Sequence, residues 1–533
     1  MLNSGVTVFI PELLYMGGRF ERGRVLVCDE SGTVVAAPRL EIPDGFGAGE
    51  NSFIEAEPGI GVRVGRIVRL RGRAMLPGMV NAHSHAFQRV IRGRTEHRGA
   101  NAEDSFWTWR EMMYAASARL TPEDIYDASR MAFLEMALGG ITSVGEFHYL
   151  HRAPAGGEYE DPNLLAKQVV RAARDTGLRV ALLRAAYARA GFRSSPDERQ
   201  GRFIEPDAET YLRNTESLVR DLAPDAATCD GRRDGDETDV RDGKLPPPDA
   251  WVGVAPHSVR AVPLEYLRQL SAFADARGLP LHMHVAEQPA EVAACVEETG
   301  RTPVALLAEE GVLGPRFTGV HAIHVTPEEV RALADAGATV CACPTTERNL
   351  GDGVVPADAL LGAGVRLALG TDSQAQIDLL EDARELEYHL RLRLLRRNVL
   401  APAVVGEGGL GGGRGGLDEE AARAGSEESK LPALAARLFE CASAGGARSI
   451  GAPAGEFGPG SAADFFAVDL NDPSVAGAAA EDLLPAVVFS LSRAAVREVA
   501  VGGRLVVEGG RHAAQDEIVS RFAALQRRLW GEV

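Results

Sequence analysis

The chain has 533 residues, 45% of them hydrophobic, which is enough for one large buried core together with a second, smaller domain. It carries 57 Lys and Arg residues against 75 Asp and Glu residues, which gives a net charge of −18. This acidic balance argues against nonspecific binding to nucleic acid or to an anionic membrane, so the expected partner is a small molecule.

The sequence patterns at both ends of the chain predict β structure. Residues 1–76 alternate short β-rich runs, such as 25–28 and 67–70, with turns rich in Gly and Asp, and they show no helical period. Near the other end, residues 464–468 predict a strand and residues 496–507 a hairpin. We expect residues 1–76 and 456–533 to form one small β-sandwich domain.

Between these ends, apolar runs alternate with helical stretches, which is typical of βα units and a parallel sheet. Eight runs read as strands, and they lead into His83, Glu146, Arg184, His257, His284, His321, Pro344 and Asp372. Eight such units predict a (β/α)8 TIM-like barrel over residues 77–455, with functional groups at the C-terminal strand ends. A doubly wound sheet is the alternative, but a Gly-rich phosphate fingerprint is missing.

Two segments read as insertions that carry no chemistry. Residues 223–249 are rich in Asp, Gly, Arg and Pro, and residues 406–430 begin with a glycine-rich run and continue into a charged stretch. We expect both to be mobile loops.

The first barrel strand ends in Asn81-Ala82-His83-Ser84-His85, directly after the apolar residues 75–80. Residues two apart in a strand point to the same side, so His83 and His85 can offer two imidazoles to one metal ion. Histidines with this spacing also occur on solvated strands, and a zinc site needs three or four ligands. The remaining ligands are therefore expected at the ends of other barrel strands.

Three more strand ends supply candidates. The fifth strand ends with His282 and His284 on one side, and one of them is the third candidate ligand. Glu287 follows at the strand mouth, where an acid could pass a proton to a leaving nitrogen, although a glutamate that merely begins a helix is the plain alternative. His321 ends the sixth strand. Asp372 follows the very apolar eighth strand, where a carboxylate is costly unless it is paired or metal-bound.

Three histidines and one aspartate form a mixed nitrogen and oxygen set that suits zinc or a similar divalent ion, with a position left for water. Such an ion lowers the pKa of its water to about 7, which predicts a hydrolytic reaction. Satisfied core histidines would explain any one of these residues, but they explain poorly why all of them lie at barrel strand ends.

Five motifs extend this pattern along nearly the whole chain. They are residues 81–89 (NAHSHAFQR), 145–151 (GEFHYLH), 255–260 (APHSVR), 284–288 (HVAEQ) and 343–353 (CPTTERNLGDG). Together they resemble the amidohydrolase superfamily in its single-metal deaminase form and, within it, the formiminoglutamate deiminase family. Two-metal members carry a lysine at the end of the fourth strand, and this chain has none there. The resemblance therefore implies one divalent metal ion, with zinc expected.

The resemblance also implies a role for each matching residue. It implies metal ligation by His83, His85, His284 and Asp372, and catalytic proton handling by Glu287, His321 and Asp372. It implies substrate contacts from Gln88, Arg110, Tyr149, His257 and Arg260, of which Arg110 is anchored only by spacing.

The activity implied by the resemblance is hydrolysis of N-formimino-L-glutamate to N-formyl-L-glutamate and ammonia in histidine degradation. The two carboxylates of that substrate require cationic partners, and Arg110 and Arg260 could supply them. One rival function is deamination of a purine, pyrimidine or triazine ring, whose site would use aromatic stacking in place of paired arginines. The other rival is a noncatalytic barrel that serves as an assembly scaffold, which predicts broken ligand sets.

The six cysteines are scattered in a large chain, which predicts reduced thiols and a cytoplasmic protein. Cys341 and Cys343 lie in an apolar run, so we interpret them as buried core residues in preference to a thiolate pair. A basic N-terminal region is missing, so no signal peptide is expected, and no apolar run reaches the roughly 18 residues of a transmembrane helix. The oligomeric state is left open, with a homodimer as one option.

Overall fold

The computed structural model of the chain describes residues 5–49, 52–57, 60–96, 105–154, 156–192, 194, 197–223, 248–402 and 432–531. The predicted insertion at 406–430 lies outside these described residues. Only the edges of the predicted insertion at 223–249 fall within them.

The N-terminal part of the chain is built of strands, as its alternating pattern predicts. They are β1 (Val6–Met16), β2 (Arg19–Glu21), β3 (Leu26–Cys28), β4 (Val34–Ala36), β5 (Phe53–Glu57) and β6 (Ile60–Pro77). The long strand β6 pairs in parallel with β1, which in turn pairs with β3 in antiparallel orientation.

Eight parallel strands follow and form the predicted barrel. They are β7 (Met79–Ser84), β8 (Ile141–His148), β9 (Arg179–Ala186), β10 (Ala250–Pro256), β11 (Leu281–Val285), β12 (Phe317–His321), β13 (Thr339–Ala342) and β14 (Arg366–Leu369). Each strand pairs with the next along the chain, and a parallel bridge between Ser84 and Asp372 joins the two ends of the sheet. The barrel prediction is confirmed, and each of the eight predicted strands is present.

Helices connect the barrel strands, and the last three of this set follow the final strand. They are α1 (Phe106–Ser117), α2 (Pro122–Leu138), α3 (Leu164–Thr176), α4 (Ala208–Leu222), α5 (Leu264–Arg277), α6 (Pro289–Thr299), α7 (Pro303–Glu309), α8 (Pro327–Asp335), α9 (Pro344–Leu350), α10 (Ala357–Gly362), α11 (Leu379–Leu394), α12 (Ala433–Glu440) and α13 (Gly446–Ile450). Their starts follow ordinary capping chemistry. Thr121, for example, accepts from the backbone of Asp124 while Asp124 caps Thr121 in return, directly before Pro122.

The chain then returns to the first sheet. The C-terminal elements are β15 (Phe465–Asp469), α14 (Leu483–Ser490), β16 (Val496–Val501), β17 (Arg504–Glu508), β18 (Arg511–His512) and α15 (Gln515–Trp530). Strand β15 pairs with β6, so strands from both ends of the chain form one mixed sheet of ten strands. Phe9 and Phe465 pack edge to face across this join, with ring centroids 4.8 Å apart.

The apolar run at residues 75–80, which the sequence suggests is one strand, is divided between the two sheets. Met75 pairs with Ala467 at the end of β6, whereas Met79 opens the barrel. Gly78 lies at the break, where an added Cβ would be 2.2 Å from the side-chain oxygen of Thr142. Only a glycine fits this close approach, so the chain changes sheets here.

A π-helical turn at Cys441–Gly445 continues into α13 and packs across the N-terminal end of the barrel. A Cβ added at Gly445 would lie 2.2 Å from the carbonyl oxygen of Leu367 in β14. The backbones therefore touch directly, and this end of the barrel is closed by small residues. Among the described residues, no helix combines the length and apolar character needed to cross a membrane.

Candidate metal centre and active site

The four candidate metal ligands meet at the C-terminal mouth of the barrel. His83 lies in β7 and His284 in β11, whereas His85 and Asp372 lie just beyond β7 and β14. Each residue contributes one ligand atom, these atoms all lie within 4.8 Å of one another, and all four residues are buried. Parallel strands converge at this end of a barrel, so residues 289 positions apart in the sequence, 372 − 83, become neighbours.

His282, the other candidate on β11, lies elsewhere. Its side chain shares the barrel interior with His284, but its Nε2 lies 2.9 Å from the carbonyl oxygen of Ser449 in α13. A residue two positions earlier in the strand is one layer deeper in the barrel, toward the closed end. The structure therefore brings His284, and not His282, into the ligand group.

Hydrogen bonds orient two of the imidazoles. His85 Nδ1 donates to the carbonyl oxygen of Phe147 at 2.8 Å, and His284 Nδ1 donates to the carbonyl oxygen of His257 at 3.1 Å. A carbonyl oxygen can only accept, so each Nδ1 carries the proton and each Nε2 keeps its lone pair in the neutral ring. Such outer contacts commonly fix the tautomer of a metal-ligating histidine.

The donor atoms themselves lie close together. His83 Nε2 is 3.2 Å from His85 Nε2 and 3.4 Å from Asp372 Oδ1, and His85 Nε2 is 3.2 Å from the same oxygen. The His85 nitrogen and the Asp372 oxygen are both acceptors, and buried acceptors at this distance repel one another unless a cation lies between them. Three imidazoles and one carboxylate fit a divalent metal ion.

The charge states agree with this fit. Burial lowers the pKa of His83 to about 3, so the ring is neutral and free to bind a metal at neutral pH. Burial alone would raise the pKa of Asp372, but the adjacent imidazoles of His83 and His85 outweigh it and hold this pKa well below its usual range. Asp372 is therefore the anionic member of the group.

The backbone at the strand ends is strained. Ala286, His321 and Asp372 have φ angles of +49°, +71° and +45°, in the left-handed region that residues with a Cβ rarely adopt. Each such residue costs on the order of 1–3 kcal/mol, and this strain is typical of functional sites. The three strained residues lie at or just beyond the ends of β11, β12 and β14, at the mouth of the barrel.

Two acid/base candidates flank the ligand group. His321 Nε2 lies 3.7 Å from Glu287 Oε1 and 3.7 Å from Asp372 Oδ2. Burial raises the pKa of Glu287. Burial would lower the pKa of His321, but the adjacent carboxylates, beginning with Glu287, raise it well above its usual value. The two side chains can therefore hold a proton between them beside the metal ligands.

The predicted substrate contacts line a narrow inner cavity of about 50 Å³. Its walls include Gln88, Arg110, Tyr149, His257 and Arg260 together with the ligands His85, His284 and Asp372. The structure thus brings together every substrate contact that the sequence analysis proposed. Gln88 Nε2 donates to the hydroxyl of Tyr149 at 2.7 Å, while Gln88 Oε1 is buried and has no hydrogen-bond partner in the described part of the chain.

A wider cavity of about 300 Å³ lies next to the inner one. Both cavities are lined by Phe106, Arg110, Arg260 and Glu287. The exposed indole of Trp107 and the buried carboxyl of Glu291 contribute to the outer wall. The two arginines therefore lie at the passage between the outside and the ligand group.

Sequence reasoning missed several residues that support this site. Arg110 Nη2 donates to the hydroxyl of Tyr187 at 3.1 Å, and Gln200 donates to the same hydroxyl at 3.0 Å. Glu146 accepts from Ser84 Oγ at 2.6 Å beside the metal ligands. Glu146 had a signal, because it lies in the second motif. Gln200 had none, because it lies in an irregular segment far from any motif.

Comparison with known proteins gives consistent matches. The amidohydrolase family matches residues 74–506. A formimidoylglutamate deiminase from Pseudomonas aeruginosa is 39% identical over 460 residues, which is 86% of this chain and 90% of the relative.

Solved structures agree at the level of the fold. A crystal structure of an amidohydrolase from Brucella melitensis is 29% identical and superposes with a TM-score of 0.78, covering 98% of this chain and 99% of the other. An adenosine deaminase from Xanthomonas campestris with bound zinc is 20% identical, with a TM-score of 0.72 over 98% of each chain.

Proposed function

Because the chain belongs to the amidohydrolase family, we propose that it is a metal-dependent formimidoylglutamate deiminase. It hydrolyses N-formimino-L-glutamate to N-formyl-L-glutamate and ammonia, a step of histidine degradation. The relative with this activity in its name is 39% identical over most of both chains. The observation that carries the proposal is the pairing of a four-residue ligand group with two arginines around one cavity.

His83, His85, His284 and Asp372 would hold one divalent ion, with zinc expected from the three nitrogens and one oxygen. Bound there, the ion would lower the pKa of a water molecule and polarise the formimino carbon. β10 ends in Ala255-Pro256 and is followed by His257, with no lysine to bridge a second ion, which supports a single-ion site.

Glu287, His321 and Asp372 handle the protons. Asp372 is held as an anion and accepts the proton that the attacking water loses. His321 Nε2 lies 3.7 Å from both Asp372 and Glu287, so it can relay that proton to Glu287. Glu287 reaches the cavity and delivers this proton to the formimino nitrogen. The hydroxyl proton of the tetrahedral adduct follows it as the C=O bond forms and the C–N bond breaks, so the nitrogen leaves as ammonia.

Arg110 and Arg260 bind the carboxylates of the substrate. Each guanidinium offers several donors, and charge-assisted pairs with carboxylates are stronger than neutral hydrogen bonds. The buried Oε1 of Gln88 has no protein partner and can accept from an N–H of the formimino group. Tyr149 holds the amide of Gln88 in place for this contact.

The proposed activity is tested by incubating the purified chain with N-formimino-L-glutamate. We expect ammonia and N-formylglutamate, identified by NMR, and no turnover of guanine, cytosine or adenosine. Formamide and glutamate as the main products would show cleavage of the other C–N bond and contradict the assignment. Turnover of a ring substrate alone would favour the rival deaminase reading.

We further propose that the enzyme acts in the cytoplasm. The five cysteines in the described part of the chain, Cys28, Cys295, Cys341, Cys343 and Cys441, are buried and unpaired. Free thiols of this kind are typical of a reducing compartment.

A further inference from the structure

Glu347 belongs to the motif at residues 343–353, to which the proposed function assigns no role. It lies in α9, one turn beyond the end of β13, and its side chain is 1% exposed. Its Oε1 lies 3.2 Å from His321 Nδ1 and accepts from the backbone N–H of Cys343 at 2.8 Å. The carboxylate of Glu347 therefore contacts His321, a member of the proposed proton relay, on the side of its ring that faces away from Glu287.

The hydrogen bond to Glu347 fixes the orientation of the His321 ring. A carboxylate oxygen accepts, so the proton between the two side chains belongs to His321 Nδ1. The opposite nitrogen, Nε2, is fully buried without a hydrogen-bond partner and faces Glu287 and Asp372. Glu347 thus leaves the reactive nitrogen of His321 directed at the site.

A purely structural role explains Glu347 less well. A buried carboxylate is costly unless it is paired, and among the described residues the ion-pair partner recorded for Glu347 is His321. His321 in turn is fully buried, so its Nδ1–H needs an acceptor, which Glu347 supplies. Glu347 and His321 therefore each supply the polar partner that the other needs in a buried position.

We propose that Glu347 is a positioning residue that holds the His321 ring through Nδ1–H and keeps Nε2 directed at the reacting groups. This proposal rests on the proposed function, because it assigns His321 to the proton relay. The arrangement follows the known logic by which a carboxylate orients a catalytic imidazole. Glu347 itself does not line the substrate cavity.

A second metal ion is the competing interpretation, because His321, Cys343 and Glu347 form a buried group of metal-ligand types within 4.8 Å. The hydrogen bond from Cys343 N–H already occupies Glu347 Oε1. The two interpretations differ in the number of metal ions that each chain binds.

The variants are Glu347→Gln, His321→Asn and the double variant, with Glu329→Gln as the control. Glu329 is also buried, but it caps α8 by accepting from Thr326 N–H, and its other hydrogen bonds come from Thr302 and the backbone of Ala305. We expect Glu347→Gln to lower kcat for formiminoglutamate by about 10- to 100-fold, with KM changed less than about threefold. The control should keep kcat near the wild-type value.

The double variant identifies the route of the effect. If Glu347 acts through His321, then Glu347→Gln should cause no further loss in the His321→Asn background. Fully additive losses, an unchanged kcat in Glu347→Gln, or loss of one of two bound metal ions in that variant would each overturn the proposal.

A readout that does not depend on activity keeps this proposal distinct from the proposed function. In the ¹⁵N-histidine-labelled protein, the N–H signal that disappears in His321→Asn belongs to His321. We expect that signal to shift strongly in Glu347→Gln and to stay in place in Glu329→Gln. An unmoved signal would overturn the proposal even in an active enzyme, whereas an inactive wild type with a shifted signal would contradict only the substrate assignment.

Discussion

At the scale of single residues, the site is a set of side chains whose roles are separable by substitution. In the proposed site, His83, His85, His284 and Asp372 would share one ion, so deletion of one would leave the ion short of a ligand. Glu287 and the substrate-binding residues line the same cavity without joining the ligand group. Substitutions should therefore affect metal content, turnover and substrate binding in different combinations.

We predict that the chain binds about one divalent metal ion and that His284→Ala or Asp372→Ala abolishes both binding and activity. Elemental analysis of protein purified without chelator measures this. His282→Asn is the matched control on the same strand, because His282 bonds to Ser449 instead of joining the ligand group. Two ions per chain in the wild type would contradict the single-ion site.

Glu287→Gln should keep the metal and the fold but lower turnover by roughly 100-fold or more, because an amide cannot pass a proton. Steady-state kinetics and elemental analysis of the same sample test both parts. Turnover near the wild-type value would move the proton transfer to His321, which lies 3.7 Å away.

Arg260→Met should lower kcat/KM for formiminoglutamate by about 2–4 kcal/mol of transition-state binding, since a charge-assisted contact to a carboxylate is lost. The metal content should not change. Arg268→Met serves as the control, because Arg268 lies on the surface of α5 in an exposed pair with Glu265. Equal losses in both variants would show that Arg260 does not bind the substrate.

At the scale of the elements, a buried ion pair joins one barrel strand to the segment and the helix that follow it. Arg184 lies near the end of β9 and is fully buried. Its Nη2 donates to Glu205 Oε1 at 2.8 Å. Asn214 of α4 donates to the same oxygen at 2.7 Å. The pair ties β9 to α4 and to the irregular segment before it.

Loss of one partner of this pair should be costly. Glu205→Gln leaves the guanidinium of Arg184 buried without its counter-charge, so we predict a loss of about 3–5 kcal/mol in the free energy of unfolding at pH 7. Burial alone would raise the pKa of Glu205, but Arg184 outweighs it and lowers this pKa to about 2.

The pH dependence follows from that lowered pKa. The contribution of Glu205 is fully present above the unfolded carboxyl pKa, about 4.3, and is lost as the pH falls toward 2. The difference in urea unfolding between wild type and Glu205→Gln should therefore shrink between pH 5 and the acid limit. A difference that stays constant over this range would contradict the pairing.

At the scale of the whole molecule, the β domain and the barrel are joined by a second buried pair. Arg179 of β9 donates from Nε and Nη2 to the two carboxylate oxygens of Asp464, at 2.8 and 3.1 Å. Asp464 directly precedes β15 and also accepts from Gly502 N–H at 2.7 Å. We propose that residues 77–455 form the catalytic barrel and that residues 1–76 and 456–533 form the β domain fastened to it.

Arg179→Met should reveal this connection. It leaves the Asp464 carboxylate buried and unbalanced, so we expect a loss of about 3–5 kcal/mol and a lower unfolding temperature. Calorimetry should still show one transition if the two domains remain coupled through β6 and β7. A wild-type stability in this variant would show that the pair contributes little to the junction.

Local sequence patterns predict the barrel strands and several of the candidate site residues. Apolar runs followed by polar residues located all eight barrel strands, because a strand buried on both faces needs a continuous apolar stretch. The spacing of His83 and His85 located one edge of the ligand group, because residues two apart in a strand share a side. Chemically distinctive residue types at strand ends marked Asp372 and the pair His282 and His284 as candidates for the other ligands, and the family resemblance favoured His284.

Tertiary structure decided what local pattern could not. His282 and His284 share one side of β11, and only the depth of the barrel places His284 with the ligands and His282 against Ser449. The contact between Glu347 and His321 joins two strand ends, and Arg179 meets Asp464 across 285 residues of chain. The sequence by itself determined which side chains can bind a metal or pass a proton. Only the closed barrel decided which of them meet, because distances across a fold depend on how all eight strands pack together.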